Sequence, residues 1–249
     1  MISPADELRP RVAVRSPAAD QDVRGVVLVL PGGRARSTAP ASRRHLAYQR
    51  MRPFAAAVHA GLVGHGVAVW QLRYRVRGWN GDRRDPVQDA RWAIERANAH
   101  HPGAPVFVLG HSMGGRTALY VAGDDGVLGA CALAPWIEPD DPISQLAGRL
   151  VVIAHGDGDR MTDPGRSRAY AMAAAVAGAR VADFTVVGDR HAMLRRAADW
   201  HALARAAAGL AFGFDTPSTD AGAAVAGQLA RVLAEPAGQR FAVPLVGGA

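Results

Sequence analysis

Ser112 stands in the run Gly110-His111-Ser112-Met113-Gly114, directly after the apolar stretch Pro105 to Leu109 and before a segment of small residues. A serine with glycine two places before and two places after it fits a sharp strand-to-helix turn. The turn forces a strained backbone on the serine and leaves no room for bulk on either side. It lifts the hydroxyl above the sheet at the N-terminus of a helix, where the dipole favours developing negative charge. A serine hydroxyl is a weak nucleophile at neutral pH, so a base must take its proton and a further group must orient that base. Two downstream loops carry suitable residue types. One is His155-Gly156-Asp157-Gly158-Asp159-Arg160-Met161-Thr162-Asp163, after an apolar run; the other is Gly188-Asp189-Arg190-His191, after the next apolar run. The acidic loop lacks the spacing and closing Glu of an EF-hand calcium site.

The elements that must hold these residues alternate along the chain. Short continuous apolar runs predict strands at Val26 to Leu30, Val67 to Leu72, Pro105 to Leu109, Val127 to Leu133, Leu150 to Ala154 and Ala182 to Val187. Helical spacing predicts helices over Tyr48 to Gly64, Asp85 to His100, the segment after Gly115, Pro164 to Ala177, and from near Arg195 past Trp200. Asp85 and Asp163, each followed by proline, read as helix N-caps. Apolar strands alternating with helices imply an α/β fold, with a mostly parallel sheet covered by helices on both faces. Arg11 to Arg15 reads as an antiparallel edge strand. The chain divides into a domain over residues 1–211 and an extension over 212–249. In the extension, Phe212 to Ser218 reads as a linker. Val225, Leu229, Val232 and Leu233 stripe one face of a helix over Asp220 to Glu235. Docking of that stripe on its own domain is the simpler expectation; a homodimer through it is the alternative.

From about Val26 to Trp200 the chain resembles the α/β-hydrolase family, closest to its compact bacterial serine esterase and dienelactone-hydrolase-like branch. The resemblance implies a triad in the order Ser112, acid, histidine. The family's His-Gly-x-x-Asp loop maps Asp159 as the acid, with Asp157 as its rival. The family's histidine after the last core strand maps to His191. His155 packs beneath the acid loop in that pattern, and His111 should point away from the Ser112 hydroxyl. The oxyanion hole implied is the Met113 N–H plus a donor from Pro31-Gly32-Gly33-Arg34, with Gly33 favoured and Arg34 the alternative. Relatives usually carry His-Gly where this chain has Pro31-Gly32. No cofactor or metal is implied.

Composition narrows the field. All 29 Lys+Arg residues are arginine and the net charge is +7. With Ala and Gly abundant as well, this reads as a genome-wide preference for GC-rich codons, and nucleic acid is not expected as a partner. No apolar run is long enough to span a bilayer, and the start of the sequence shows no secretory leader. A cytoplasmic protein is expected. The lone Cys131 lies inside a predicted strand and reads as core packing.

Only Pro135 to Arg149 separates two core strands where lipases insert a lid, so no large lid domain is expected and Trp136 should wall an open pocket. Arg34 and Arg36, with Arg73, Arg75 and Arg77 alternating along an extended segment, could bind an anionic substrate; solvated surface arginines are the simpler reading. The expected activity is cleavage of a small-molecule carboxylic ester or thioester. The alternatives are a thioesterase or acyltransferase on a carrier-bound acyl group, and a non-catalytic binding protein on the same fold.

Overall fold

The computed structural model describes residues 8–18, 21–214, 220–236 and 241–245. Its strands are β1 (Arg11–Arg15), β2 (Gly25–Leu30), β3 (Val67–Arg73), β4 (Val106–His111), β5 (Val127–Leu133), β6 (Leu150–Gly156), β7 (Arg180–Val186) and β8 (Val243–Pro244). They form one sheet in the order β1-β3-β2-β4-β5-β6-β7-β8. β1 runs antiparallel to β3, and the other pairings are parallel.

Successive residues of a strand point to opposite faces, and the core divides accordingly. Val26, Leu28 and Leu30 pack on one side with α2 (Asp85–His100), α3 (Met113–Val121) and α4 (Pro164–Val176). Val27 and Val29 pack on the other with α1 (Leu46–Leu62), α5 (Ala197–Phe212) and α6 (Asp220–Ala234). Both faces are therefore apolar, which is why the strands read as unbroken hydrophobic runs. Each fully buried Leu or Phe contributes about 1.5–3 kcal/mol.

The stripe on α6 is spent on this core: Val225 and Leu229 are each 1% exposed, beside Trp200 and Leu203 of α5. Residues 215–218 of the expected linker lie outside the described residues. β8, two residues long, extends the sheet beyond β7 and escaped the sequence reading because so short a pairing carries no period. Asp183 of β7 anchors it, accepting from the Ala242 N–H at 3.0 Å. Asp85 opens α2 without capping it. Its carboxylate turns back to Asn80 Nδ2 (2.7 Å) and Arg83. Asp163 does cap α4, accepting from the Gly165 N–H at 2.8 Å.

Parallel pairing with near-level registers puts the carboxyl ends of the strands side by side. Leu30 pairs with Gly110, so the loop after β2 and the turn after β4 emerge together. The strand order reverses there, which opens a crevice for ligands in sheets of this kind. Residues 134–149 between β5 and β6 hold one short 3-10 turn, Ser144–Leu146, too short a connection to carry a lid domain.

Candidate active site

Ser112 carries φ 56° and ψ −119°, a left-handed conformation that costs a non-glycine residue about 1–3 kcal/mol. The surrounding glycines make the turn sterically feasible. A Cβ on Gly110 would lie 2.0 Å from the Gly114 carbonyl oxygen, and one on Gly114 would lie 2.4 Å from that of Leu30. Packing between β2, β4 and α3 thus holds the hydroxyl at the sheet's rim.

The structure brings all three mapped side chains together. His191 Nε2 lies 3.0 Å from Ser112 Oγ, and His191 Nδ1 lies 2.7 Å from Asp159 Oδ2. With Nδ1–H donating to the carboxylate, Nε2 is left bare to accept from the serine hydroxyl. Asp159 receives four more hydrogen bonds. Its Oδ2 accepts from His155 Nε2 (3.0 Å) and Thr162 Oγ1 (2.8 Å), and its Oδ1 from the N–H groups of Met161 (2.7 Å) and Thr162 (3.1 Å). Burial pushes the Asp159 carboxyl up. The bonds from His155, His191 and the two amides outweigh it and hold the group well below the usual carboxylate range. Asp157 instead accepts from the Gly188 N–H (2.8 Å) and Asp163 caps α4, so the three carboxylates of the loop do three separate jobs.

Several supporting residues went unseen in the sequence. Thr162 Oγ1 touches Asp159, His155 and His191 at once. Buried Ser167 bonds His155 Nδ1 at 2.8 Å and fixes that ring. Asp189, 1% exposed, accepts from the N–H groups of Arg190 (2.7 Å) and Arg196 (2.9 Å) and from Trp200 Nε1 (2.9 Å). It ties the His191 loop to the start of α5. The only sequence signal was an aspartate two places before His191, and a loop aspartate is ordinarily solvated. His111 does turn from the serine. Its Nε2–H donates to the His191 carbonyl at 2.9 Å, and its ring lies 4.8 Å from that of His191. Burial, with His191 beside it, pushes its pKa down to about 3, so it stays neutral.

Two backbone amides are the oxyanion-hole candidates. The Met113 N–H opens α3, where helix geometry supplies no intrahelical acceptor. Of the two candidates after β2, Arg34 has its N–H committed to the Arg77 carbonyl at 2.9 Å. Gly33 keeps its N–H uncommitted among the described residues. A Cβ on Gly33 would fall 2.3 Å from the Met113 side chain, so the two segments touch at this point. The neighbouring Gly32 abuts Ser112 itself, its own hypothetical Cβ lying 3.4 Å from the Ser112 Cβ. Both segments thus border Ser112, with Pro31 where relatives usually carry histidine.

Arg34 and Trp136 line two different cavities near this centre. Arg34 lines a cavity of about 360 Å³ with the Pro31–Gly33 loop, Ser42, His45, Tyr48, Tyr74 and Arg77. Trp136 reaches Ser112 through its backbone, N–H to the Ser112 carbonyl at 3.2 Å. Its indole lines a separate cavity of about 420 Å³. There the Arg116 guanidinium sits 4.1 Å from the Trp79 ring centroid and 4.6 Å from that of Trp136, and bonds Asp141 at 2.6 Å. Tyr120 donates to the same carboxylate oxygen at 2.7 Å.

The family model described as "Serine aminopeptidase, S33" matches residues 21–153, more than half of the chain. The chain belongs to this family of α/β serine hydrolases. The S33 match takes in the Gly33 loop and Ser112 but ends before Asp159 and His191, whose positions come from the fold. Solved structures agree on architecture. Est1E from Butyrivibrio proteoclasticus superimposes with a TM-score of 0.62 at 13% identity, covering 82% of this chain and 95% of that one. A serine hydrolase without lid from Xanthomonas campestris gives 0.57 at 20% identity, covering 84% and 91%. Brefeldin A esterase, a bacterial homologue of human hormone-sensitive lipase, gives 0.57 at 18% identity, covering 86% and 79%. No curated protein matches the chain in sequence. Among the described residues, no helix of this S33 member is long and apolar enough to cross a membrane.

Proposed function

We propose that this protein hydrolyses a carboxylic ester or thioester through an acyl-enzyme on Ser112. The observation that carries this reading is the unbroken line of hydrogen bonds from Ser112 Oγ through His191 to Asp159, beside two amides without acceptors among the described residues. His191 Nε2 takes the hydroxyl proton as Ser112 Oγ attacks the carbonyl carbon. Asp159 keeps the imidazole in that tautomer and stabilises the imidazolium. The Met113 and Gly33 N–H groups receive the oxyanion, each contributing about 3 kcal/mol to the transition state. His191 then returns the proton to the leaving alcohol or thiol. Water, deprotonated by the same imidazole, attacks the acyl-enzyme and frees Ser112.

The name of the S33 family includes an aminopeptidase. Such an activity requires a binding place for a substrate ammonium. The cavity bordering Gly33 is lined by Arg34, Arg44, Arg73 and Arg77 and by no carboxylate among the described residues, so a cation there would be repelled. That disfavours an amino-terminal peptide seated in this cavity. Wild-type protein should release nitrophenolate from p-nitrophenyl butyrate, and Ser112→Ala should not. Hydrolysis that survives Ser112→Ala would overturn the assignment. A marked preference for butyryl thioesters would move the reading to a thioesterase.

A further inference from the structure

The arginines around the crevice differ sharply in what they touch. Arg75 is committed, pairing with Asp89 through its backbone N–H (2.7 Å) and its guanidinium. Arg73 donates to the carbonyls of Ala41 (2.8 Å) and Arg9 (2.7 Å) and acts as a backbone clamp. Arg34, Arg44 and Arg77 have no carboxylate within reach among the described residues, yet all three line the cavity beside the oxyanion loop. Their backbone is held in place. The Arg34 N–H bonds the Arg77 carbonyl (2.9 Å), the Arg77 N–H bonds the Ala39 carbonyl (3.0 Å), and the Trp79 N–H bonds the Arg34 carbonyl (2.9 Å). The charges also converge in space: after burial, Arg77 and then Arg34 are what hold the His45 imidazole below its usual pKa.

Like charges brought together without counter-ions destabilise a fold unless something else compensates them. A substrate anion would supply that compensation, and the place is suitable. Gly33, the oxyanion donor, forms part of the cavity wall, so a group bonded near the scissile carbonyl reaches the guanidiniums directly. At roughly 30 Å³ per water-sized group, the volume holds about a dozen such groups. Pro31, Leu46, Tyr48 and Tyr74 give it an apolar lining between the carbonyl and the charges. We infer that the substrate is an ester whose acyl part ends in an anionic group, a carboxylate or a phosphate, received by Arg34 and Arg77 with Arg44 at the rim. This rests on the hydrolase reading of Ser112.

The test compares p-nitrophenyl pentanoate, p-nitrophenyl hemiglutarate and p-nitrophenyl phosphonobutyrate, which share a leaving group and differ in the acyl terminus. At low salt, wild-type kcat/KM for the anionic esters should exceed that for the neutral one by on the order of tenfold. The advantage should shrink at high salt. Arg34→Gln and Arg77→Gln should each lower the anionic-to-neutral ratio severalfold. Arg180→Gln, exposed at the opposite end of β7, should leave the ratio unchanged. The better of the two anionic esters distinguishes carboxylate from phosphate. Equal turnover of all three esters, or a ratio that Arg34→Gln and Arg77→Gln do not move, overturns the inference while hydrolysis by Ser112 stands. Failure to hydrolyse any of them, with no labelling of Ser112 by a fluorophosphonate, overturns the hydrolase reading itself.

Discussion

Two arginine-bearing cavities lie beside Ser112, and Arg116 in one meets surroundings opposite to those of Arg34, Arg44 and Arg77 in the other. Beside Trp136, the Arg116 side chain is 9% exposed, packed against two indoles set edge-on to each other and matched by a carboxylate that is 2% exposed. Asp141 also receives Tyr120 and the Glu138 N–H (2.9 Å), so it is fully engaged. Arg116 belongs to the helix that carries Ser112 at its cap, and its own N–H bonds the Ser112 carbonyl at 3.1 Å. This flank is a fixed brace. Beside Gly33, Arg34, Arg44 and Arg77 face a cavity with no acid in its lining among the described residues. The same residue type is structural where its charge is met inside the fold, and available for binding where it is not.

That contrast can be sharpened or broken, starting from the centre both flanks share. Asp159→Asn should lower kcat by about four orders of magnitude, because the wrong tautomer of His191 would face Ser112; steady-state kinetics with the fold checked by circular dichroism measures this. On the braced flank, Asp141→Asn should cost about 3–5 kcal/mol of stability, since it leaves Arg116 buried without its counter-charge. Replacing both partners, Arg116→Met with Asp141→Leu, should cost less than breaking the pair. Denaturant titration of the wild type and these two variants decides whether the brace is structural. On the open flank, Arg34→Gln and Arg77→Gln should change stability by less than about 0.5 kcal/mol. A large loss there would mean those charges are met within the fold after all.

A separate effect concerns pH. His111 is neutral in the fold, with a pKa of about 3 against 6.5 for the free side chain. Between those values the unfolded chain takes up the extra proton. The resulting stability is complete above about pH 6.5 and is lost as pH falls toward 3. Asp159, with its pKa depressed, adds a loss at lower pH, in the range where free carboxylates protonate. Thermal melts should therefore drop as pH falls below about 6.5, and His111→Gln should flatten the upper part of that slope.

The strands, the nucleophile turn and the three side chains that converge on it were legible because each leaves a local pattern. An apolar run, a glycine pair at fixed spacing and a histidine after a strand can all be read within a few residues. Thr162, Ser167 and Asp189 were not legible, since their roles depend on partners that only the folded sheet brings near. The same holds for the arginines. Arg73, Arg75 and Arg77 alternate identically in sequence, yet a backbone clamp, an ion pair and a cavity wall are their three outcomes. What separated them was the position of Asp89, one helix away. Trp136 was expected as a pocket wall and does line a cavity, but as part of the Arg116 brace and not beside Arg34.

The hydroxyl of Ser112 is held to be reactive because one imidazole, oriented by one buried carboxylate, stands within hydrogen-bond reach of it. Treatment with a fluorophosphonate, followed by mass analysis of the peptide that spans residue 112, tests this most directly. We expect a stoichiometric phosphonyl adduct on Ser112 in the wild type and none in Ser112→Ala or His191→Ala. An adduct on another residue, or equal modification of His191→Ala, would contradict it.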